Sequence, residues 1–109
     1  MEFEVTTTEG RRIIASKGDV LHTCAEEFAR VIREQVEEGH QVIVLDFSKA
    51  SMIDSAGISS IVANIGLVKE RNARIILGGC NPTIQKVFQL IGFKQHFAVT
   101  GTLAEALKA

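Results

Sequence analysis

The fold is decided by one stretch, VIVLDFSKASMIDSAGI, which occupies residues 42–58. Its first four residues are apolar and mostly β-branched, which predicts a strand buried on both faces at the centre of a largely parallel sheet. A short polar loop follows, and Asp54-Ser55-Ala56-Gly57 then opens a helical pattern. Backbone N–H groups and the helix dipole favour negative charge at a helix N-terminus. We therefore predict that Ser55 can carry a phosphate and that the protein is a binding module controlled by phosphorylation.

The residues before this stretch predict a hairpin and a helix. Residues 3–8 and 11–16 are strand-like and are separated by a turn at Glu9-Gly10. From residue 22 to residue 39 the apolar positions switch to a helical period, and Gly39 suits the end of that helix. The predicted apolar face comprises Ala25, Phe28, Ala29, Ile32 and Val36, and the predicted ion pairs are Glu26–Arg30 and Arg33–Glu37.

The residues after it continue the alternation of helices and strands. A second helix is predicted from the inward-facing residues Ile58, Ile61, Val62, Ile65 and Val68, and it ends near Arg71-Asn72. A buried strand at 73–77 precedes a third helix with Asn81 as N-cap, Pro82 at its first position and Gly92 at its end. A short strand at 97–99 and a last helix capped by Thr102 complete the chain. This order predicts one α/β domain over residues 1–109, with a mixed, mostly parallel sheet packed against four to five helices.

Composition excludes several classes of protein. The chain has 109 residues, of which 46% are apolar and 23% charged, with a net charge of −1. Nucleic-acid binding normally needs a basic surface, so we expect no nucleic-acid partner. No apolar run approaches the roughly 18 residues of a membrane span, so no membrane partner is expected. The two cysteines are far apart and suit small buried side chains in a reducing compartment, which makes the cytoplasm the expected location.

Ser55 has a simpler interpretation as a helix cap, and Asp54 could also provide that cap. Three small residues, Ser59, Ala63 and Gly66, extend from Ser55 along one face of the predicted helix. A partner could approach this face closely. We therefore predict that the face forms part of a docking surface.

Catalytic, metal and nucleotide sites are less well supported. A hydrolase serine needs G-x-S-x-G, and the first glycine is missing around Ser55, while His22, His40 and His96 are scattered along the chain. Asp46 and Asp54 are only a weak metal signature and suit a turn and a cap. Gly78-Gly79-Cys80 lacks the Gly-Lys-Ser/Thr of a P-loop and suits a tight turn. We expect no catalytic residue, cofactor or metal.

Taken together, several segments resemble the STAS domain, the fold of bacterial anti-sigma factor antagonists. The segments are Leu45-Asp46-Phe47-Ser48, Met52-Ile53-Asp54-Ser55-Ala56-Gly57-Ile58, Gly18-Asp19-Val20-Leu21-His22-Thr23, Asn81-Pro82-Thr83-Ile84-Gln85-Lys86-Val87-Phe88 and Gly92-Phe93. The resemblance covers nearly the whole chain. Leu21 is a departure, because the family often has Asp at that position.

The resemblance implies a function and a set of site residues. Ser55 would be phosphorylated by an anti-sigma factor that is also a serine kinase. The unphosphorylated protein would bind this kinase and release a sigma factor, and a serine phosphatase would restore the binding form. The expected partner-binding residues are Asp19, His22, Asp54, Ser55, Ala56, Gly57, Ser59, Ala63 and Gly66. The alternative is a non-enzymatic STAS scaffold or an accessory subunit of a stress-sensing assembly or lipid transporter.

Overall fold

The computed structural model describes residues 2–109 and shows five strands across them. The first half contains β1 (Phe3–Thr8), β2 (Arg11–Ser16), α1 (Ala25–Glu37), β3 (Val42–Asp46) and α2 (Ser55–Val62). The second half contains α3 (Ile65–Glu70), β4 (Arg74–Gly78), α4 (Pro82–Leu90), a 3₁₀ turn (Phe93–Gln95), β5 (Ala98–Val99) and α5 (Leu103–Ala106).

The strands lie in the order β1-β2-β3-β4-β5, so β3 is central, as the sequence predicts. The β1–β2 pair is antiparallel, whereas β2–β3, β3–β4 and β4–β5 are parallel. The predicted mixed, mostly parallel sheet is therefore confirmed. Parallel pairing also brings the C-terminal ends of β3 and β4 to the same edge, where the loops that lead into α2 and α4 begin.

The two faces of the sheet pack against different layers. Alternate residues of the central strands join a large core beneath the long helices, among them Ile43, Leu45 and Leu77. Residues between them, such as Val44 and Ile76, meet Ala106 of α5 on the opposite face. Because both faces of β3 are covered, its unbroken apolar pattern is explained.

All six phenylalanines form one continuous chain of ring contacts through the larger core. Phe3 stacks on Phe28 with ring centroids 4.6 Å apart, and Phe28 meets Phe47 edge to face at 6.2 Å. Phe47 then contacts Phe88, and the chain continues through the remaining two rings. Phe47 directly follows β3, so the start of the β3–α2 loop is anchored in the core.

Several local predictions are confirmed. Asn81 and Thr102 accept hydrogen bonds from the N–H groups of Ile84 and Glu105, as N-caps do. Gly39 has a φ of +96° just after α1, and both cysteines are buried. Burial and the nearby Asp46 charge raise the pKa of the Cys80 thiol to about 12.

The predicted second helix is wrong as a single element, because it is divided into α2 and α3. The side-chain amide of Asn64 donates to the Ser60 carbonyl at 3.0 Å, whereas the Asn64 N–H turns to Ile61. This side chain occupies the carbonyl that the helical backbone would otherwise use, which interrupts the hydrogen-bond ladder. The periodicity predicts that Val62 faces inward, but it is 48% exposed.

The surface of α1 also departs from the prediction in one pair. Arg33–Glu37 is present, with an N–O distance of 3.9 Å. Arg30 pairs with Glu34 at 3.2 Å rather than with Glu26. Phe28, Ile32 and Val36 are buried as expected, and Val31 and Gln35 are buried beside them.

Candidate functional site

Ser55 is the first residue of α2 and its side chain is exposed. The loop before it is held by the buried residues Phe47, Ala50 and Ile53, so the serine follows a well-anchored segment. Among the hydrogen bonds of the described residues, none uses the Ser55 hydroxyl. The hydroxyl is therefore available to solvent and has no structural partner within the described fold.

Asp54 provides the N-cap of α2, which settles the choice that the sequence leaves open. Its Oδ1 accepts from the Gly57 N–H at 2.9 Å, and its Oδ2 accepts from the His22 N–H at 2.8 Å. The Gly57 hydrogen bond has the largest effect and lowers the pKa of the Asp54 carboxyl below its ordinary value, and His22 acts in the same direction. The cap is therefore ionised at neutral pH.

A second carboxylate ties the segment before α1 to the β3–α2 loop. Asp19 Oδ1 accepts from the N–H groups of Ser51 at 2.7 Å and Met52 at 3.2 Å. Between these carboxylates, Val20 and Ile53 form a parallel bridge. Asp19 therefore accepts from the backbone of the loop, and Asp54 accepts from the backbone of the segment before α1. Together these hydrogen bonds hold the residues that precede Ser55 in one conformation.

Two buried polar side chains set the position of α2 on α1. Ser60 Oγ donates to the Ala25 carbonyl at 2.7 Å, and Asn64 Nδ2 donates to the Ala29 carbonyl at 3.1 Å. Both residues are about 5% exposed or less. A buried polar group is costly unless it is hydrogen-bonded, so these bonds favour a single register between the helices.

The other polar groups considered from the sequence lie in different arrangements. Asp46 accepts from both the N–H and the hydroxyl of Ser48 and thereby closes a turn. Within residues 2–109, no group of three or more His, Cys, Asp or Glu side chains is arranged to hold a metal ion. His22 lies beside Asp54, while His40 lies 3.9 Å from Glu38.

No helix in the described part of the chain is long and apolar enough to cross a membrane. A cavity of about 170 Å³ lies between α3, β4 and the residues that follow the 3₁₀ turn. Its lining includes Val68, Lys69 and Phe97 and none of the residues predicted to form the site. This cavity is therefore separate from the predicted site residues.

Comparison with known proteins identifies the family. The family model described as "STAS domain" matches residues 2–106. The chain belongs to the STAS domain family. The predicted resemblance is thus confirmed over nearly the whole chain.

Relatives of this STAS domain include BtrV of Bordetella bronchiseptica, whose name provisionally assigns it to the anti-sigma factor antagonists. The two chains are 25% identical over 109 residues, which cover 100% of this chain and 94% of BtrV. A Thermotoga maritima structure, described provisionally as an anti-sigma factor antagonist, has a TM-score of 0.86 at 20% identity and covers 97% of this chain and 92% of its own.

The phosphorylated form of the Bacillus cell fate determinant SpoIIAA is also similar. Its TM-score is 0.73 at 25% identity, with 97% of this chain and 96% of that chain covered. A protein of similar sequence and fold can therefore be phosphorylated and remain folded.

Most of the predicted site residues are exposed in this STAS domain. Ser55, Ser59, Ala63 and Gly66 are exposed along α2 and the start of α3, and a Cβ at Gly66 would meet no atom within 4 Å. Ala56 is half-buried. His22 and Asp19 are exposed beside the loop, where their main contacts are with Asp54 and with residues 51–52.

Gly57 does not belong to this exposed surface. It is buried, and a Cβ there would lie 2.6 Å from the Val20 carbonyl oxygen and 2.7 Å from Ile53 Cγ1. The glycine is needed for close packing between the two segments. We therefore exclude it from the predicted docking surface.

Sequence reasoning missed two exposed apolar residues near Ser55 in the sequence. Val62 and Met52 are each 48% exposed, one on α2 and the other in the loop before it. Val62 lies seven residues after Ser55, which is two helical turns. This spacing indicates that Val62 lies on the same helix face as the exposed Ser55. The assumption of an unbroken helix assigns Val62 to the core instead.

Proposed function

We propose that this STAS domain is an anti-sigma factor antagonist whose binding is switched at Ser55. In its unphosphorylated form it binds an anti-sigma factor that is also a serine kinase, and a sigma factor is released. Phosphorylation of Ser55 ends this binding, and a serine phosphatase restores it. The protein acts by binding rather than by catalysis, and its partners place it in the cytoplasm.

The observation that carries this proposal is the division of labour between Asp54 and Ser55. Asp54 makes the cap, so the neighbouring hydroxyl can be modified without loss of a hydrogen bond within the described fold. A phosphate at the first position of α2 would lie at the positive end of the helix dipole. The relatives support the partner class, since BtrV and SpoIIAA are both described as anti-sigma factor antagonists.

Charge explains how the modification would act. A phosphoserine adds about −1.5 to −2 charge at neutral pH. Here it would stand beside the ionised Asp54 at the end of a surface of small residues. A partner that packs closely on Ser59 and Ala63 would have to remove water from the phosphate and from Asp54 together. A cost of about 3 kcal/mol would weaken binding by more than roughly 100-fold.

The kinase assignment is tested by incubation with a candidate anti-sigma factor/serine kinase of the same organism and ATP. Mass spectrometry should map one phosphate, on Ser55, and the Ser55→Ala variant should remain unmodified. Phosphate on another residue, or none with an active kinase, would contradict the switch. In that case the scaffold or accessory-subunit function would be favoured.

The docking surface is tested by Ala63→Arg. Ala63 is exposed at the end of α2, so a larger side chain should leave folding intact and weaken partner binding at least about tenfold by steric exclusion. Ala104→Arg in α5 is the matched control, because Ala104 is exposed on the opposite side of the sheet. Calorimetric affinities that fall equally for both variants, or for neither, would exclude this surface.

A further inference from the structure

The His22 imidazole lies beside the residue that precedes the proposed phosphorylation site. Its Nδ1 is 3.7 Å from Asp54 Oδ2, the oxygen that also accepts from the His22 backbone N–H at 2.8 Å. The His22 side chain is 78% exposed and the Asp54 side chain 28% exposed. The backbone bond fixes His22 beside Asp54, and most of the imidazole ring is exposed to solvent.

Two carboxylates bond the backbone in this part of the fold. Asp54 comes from the start of α2, and Asp19 comes from the same segment as His22, where it accepts from residues 51 and 52. Among the described residues, His22 is the only ion-pair partner found for Asp54. A phosphate on Ser55 would therefore join two carboxylates and one basic side chain.

We propose that His22 is the counter-ion of the Ser55 phosphate and a positioning residue of the modified state. Ser55 follows Asp54 directly, so their Cα atoms are about 3.8 Å apart and the phosphate lies well within one Debye length of the imidazole. In its protonated form the imidazole offsets part of the repulsion between the phosphate and Asp54. It thereby keeps the segment before α1 attached to α2 after phosphorylation.

This inference rests on the proposed function only for the choice of Ser55 as the modified residue. The test can be made independent of any kinase, because phosphoserine can be incorporated at position 55 during translation. Failure of the kinase experiment would then leave the role of His22 open to direct measurement. Equally, a negative result for His22 would not affect the mapping of the phosphate by mass spectrometry.

The experiment is a ³¹P NMR titration of the full chain carrying phosphoserine at position 55. The second ionisation of the phosphate ordinarily has its midpoint at about pH 6. A nearby cation favours the dianion and therefore lowers this midpoint. His22→Gln should raise this midpoint by about 0.2–0.7 pH unit, the size expected for an exposed ion pair. His22→Lys, which keeps a cation, should hold the midpoint at or below the wild-type value.

His96→Gln is the matched control, because His96 is also exposed and lies at the end of the 3₁₀ turn, away from α2. Its midpoint should equal that of the wild type. The difference between wild type and His22→Gln should also vanish in concentrated urea, since it requires the folded arrangement. Equal midpoints for the folded wild type and folded His22→Gln proteins, with folding checked by circular dichroism, would overturn the proposal.

Discussion

Two strand–loop–helix segments of this STAS domain begin alike and present different groups. β3 leads to α2 and β4 leads to α4, and each helix is capped by an Asp or Asn side chain. Asp54 accepts from the Gly57 N–H at 2.9 Å, and Asn81 accepts from the Ile84 N–H at 2.8 Å. The residue after the cap is the exposed Ser55 in one segment and Pro82 in the other.

The side-chain nitrogen of Asn81 shows that the β4–α4 segment supports the β3–α2 loop. Asn81 Nδ2 donates to the carbonyls of Ala50 at 3.3 Å and Ser51 at 3.0 Å, both in the β3–α2 loop. Gly79 packs directly beneath Asp46 and Ser48. The β4–α4 segment is thus a brace, and the β3–α2 segment is the surface that it supports. The same local cap therefore serves a structural role in one place and frees a hydroxyl in the other.

Adding a side chain where the brace packs against the β3–α2 loop should have the largest effect on stability. Gly79 has a φ of +66°, and a Cβ there would lie 2.7 Å from Asp46 Oδ1 and closer still to the Ser48 hydroxyl. Gly79→Ala should lower the free energy of unfolding by about 3 kcal/mol, through backbone strain and overpacking. Gly10→Ala is the control in urea unfolding. Gly10 has a φ of +76° and a Cβ there would meet no atom within 4 Å, so this variant measures the backbone strain without the overpacking. Equal losses would show that the contact with Ser48 is unimportant.

Asn81→Ala should come next, at about 1–3 kcal/mol, because it removes an N-cap and two further hydrogen bonds. Asn81→Asp keeps the acceptor for the Ile84 N–H and loses the two donors to the loop. Hydrogen exchange should therefore accelerate around residues 50–52 in both variants, but at the start of α4 only in Asn81→Ala. Unchanged exchange in the loop would contradict its support by the brace.

The two caps should also differ in their response to pH. The Asp54 pKa is lowered in the folded state, chiefly by the Gly57 N–H, so its stabilising effect is complete above the ordinary carboxyl pKa of about 3.9 and is lost as pH falls through the lower folded value. In thermal unfolding between about pH 7 and pH 2.5, Asp54→Asn should therefore melt at a lower temperature than the wild type at neutral pH and should approach it in acid. The effect of Asn81→Ala should stay constant over that range.

Ser55→Ala should have the smallest effect, within about 0.5 kcal/mol, because the Ser55 hydroxyl makes no hydrogen bond in the described fold. Thr102→Ala is the internal comparison, since the Thr102 hydroxyl caps α5 by accepting from the Glu105 N–H at 3.1 Å. Its loss should cost about 1 kcal/mol in urea unfolding. If Ser55→Ala were as destabilising as Thr102→Ala, Ser55 would be a structural cap after all.

Local signals were sufficient for much of this architecture. The strand at Val42, the caps at Asn81 and Thr102 and the helix start at Ser55 all follow from short-range chemistry. Short-range chemistry left the choice between Asp54 and Ser55 as cap open, because both residue types cap helices well. The additional bond from the His22 N–H to Asp54 comes from a residue 32 positions away and could not be predicted locally. The pairing of Asp19 with residues 51 and 52 is equally remote in sequence.

The division between α2 and α3 shows the same limit. Periodicity alone continues the helix through Ala63 and assigns Val62 to the core. The interruption comes from Asn64, whose amide bonds the Ser60 carbonyl within the helix and the Ala29 carbonyl on α1. Two polar residues four apart on an otherwise apolar face, Ser60 and Asn64, were the sequence signal of that interface.

Our main proposal is that the Ser55 hydroxyl has no structural role, so that its phosphate can control binding. The most direct test compares the affinity of the unmodified protein and the protein with phosphoserine at position 55 for the anti-sigma factor/serine kinase. We predict that phosphorylation weakens binding by more than roughly 100-fold while both forms show the same circular dichroism spectrum. Equal affinities for the two folded forms would contradict the switch.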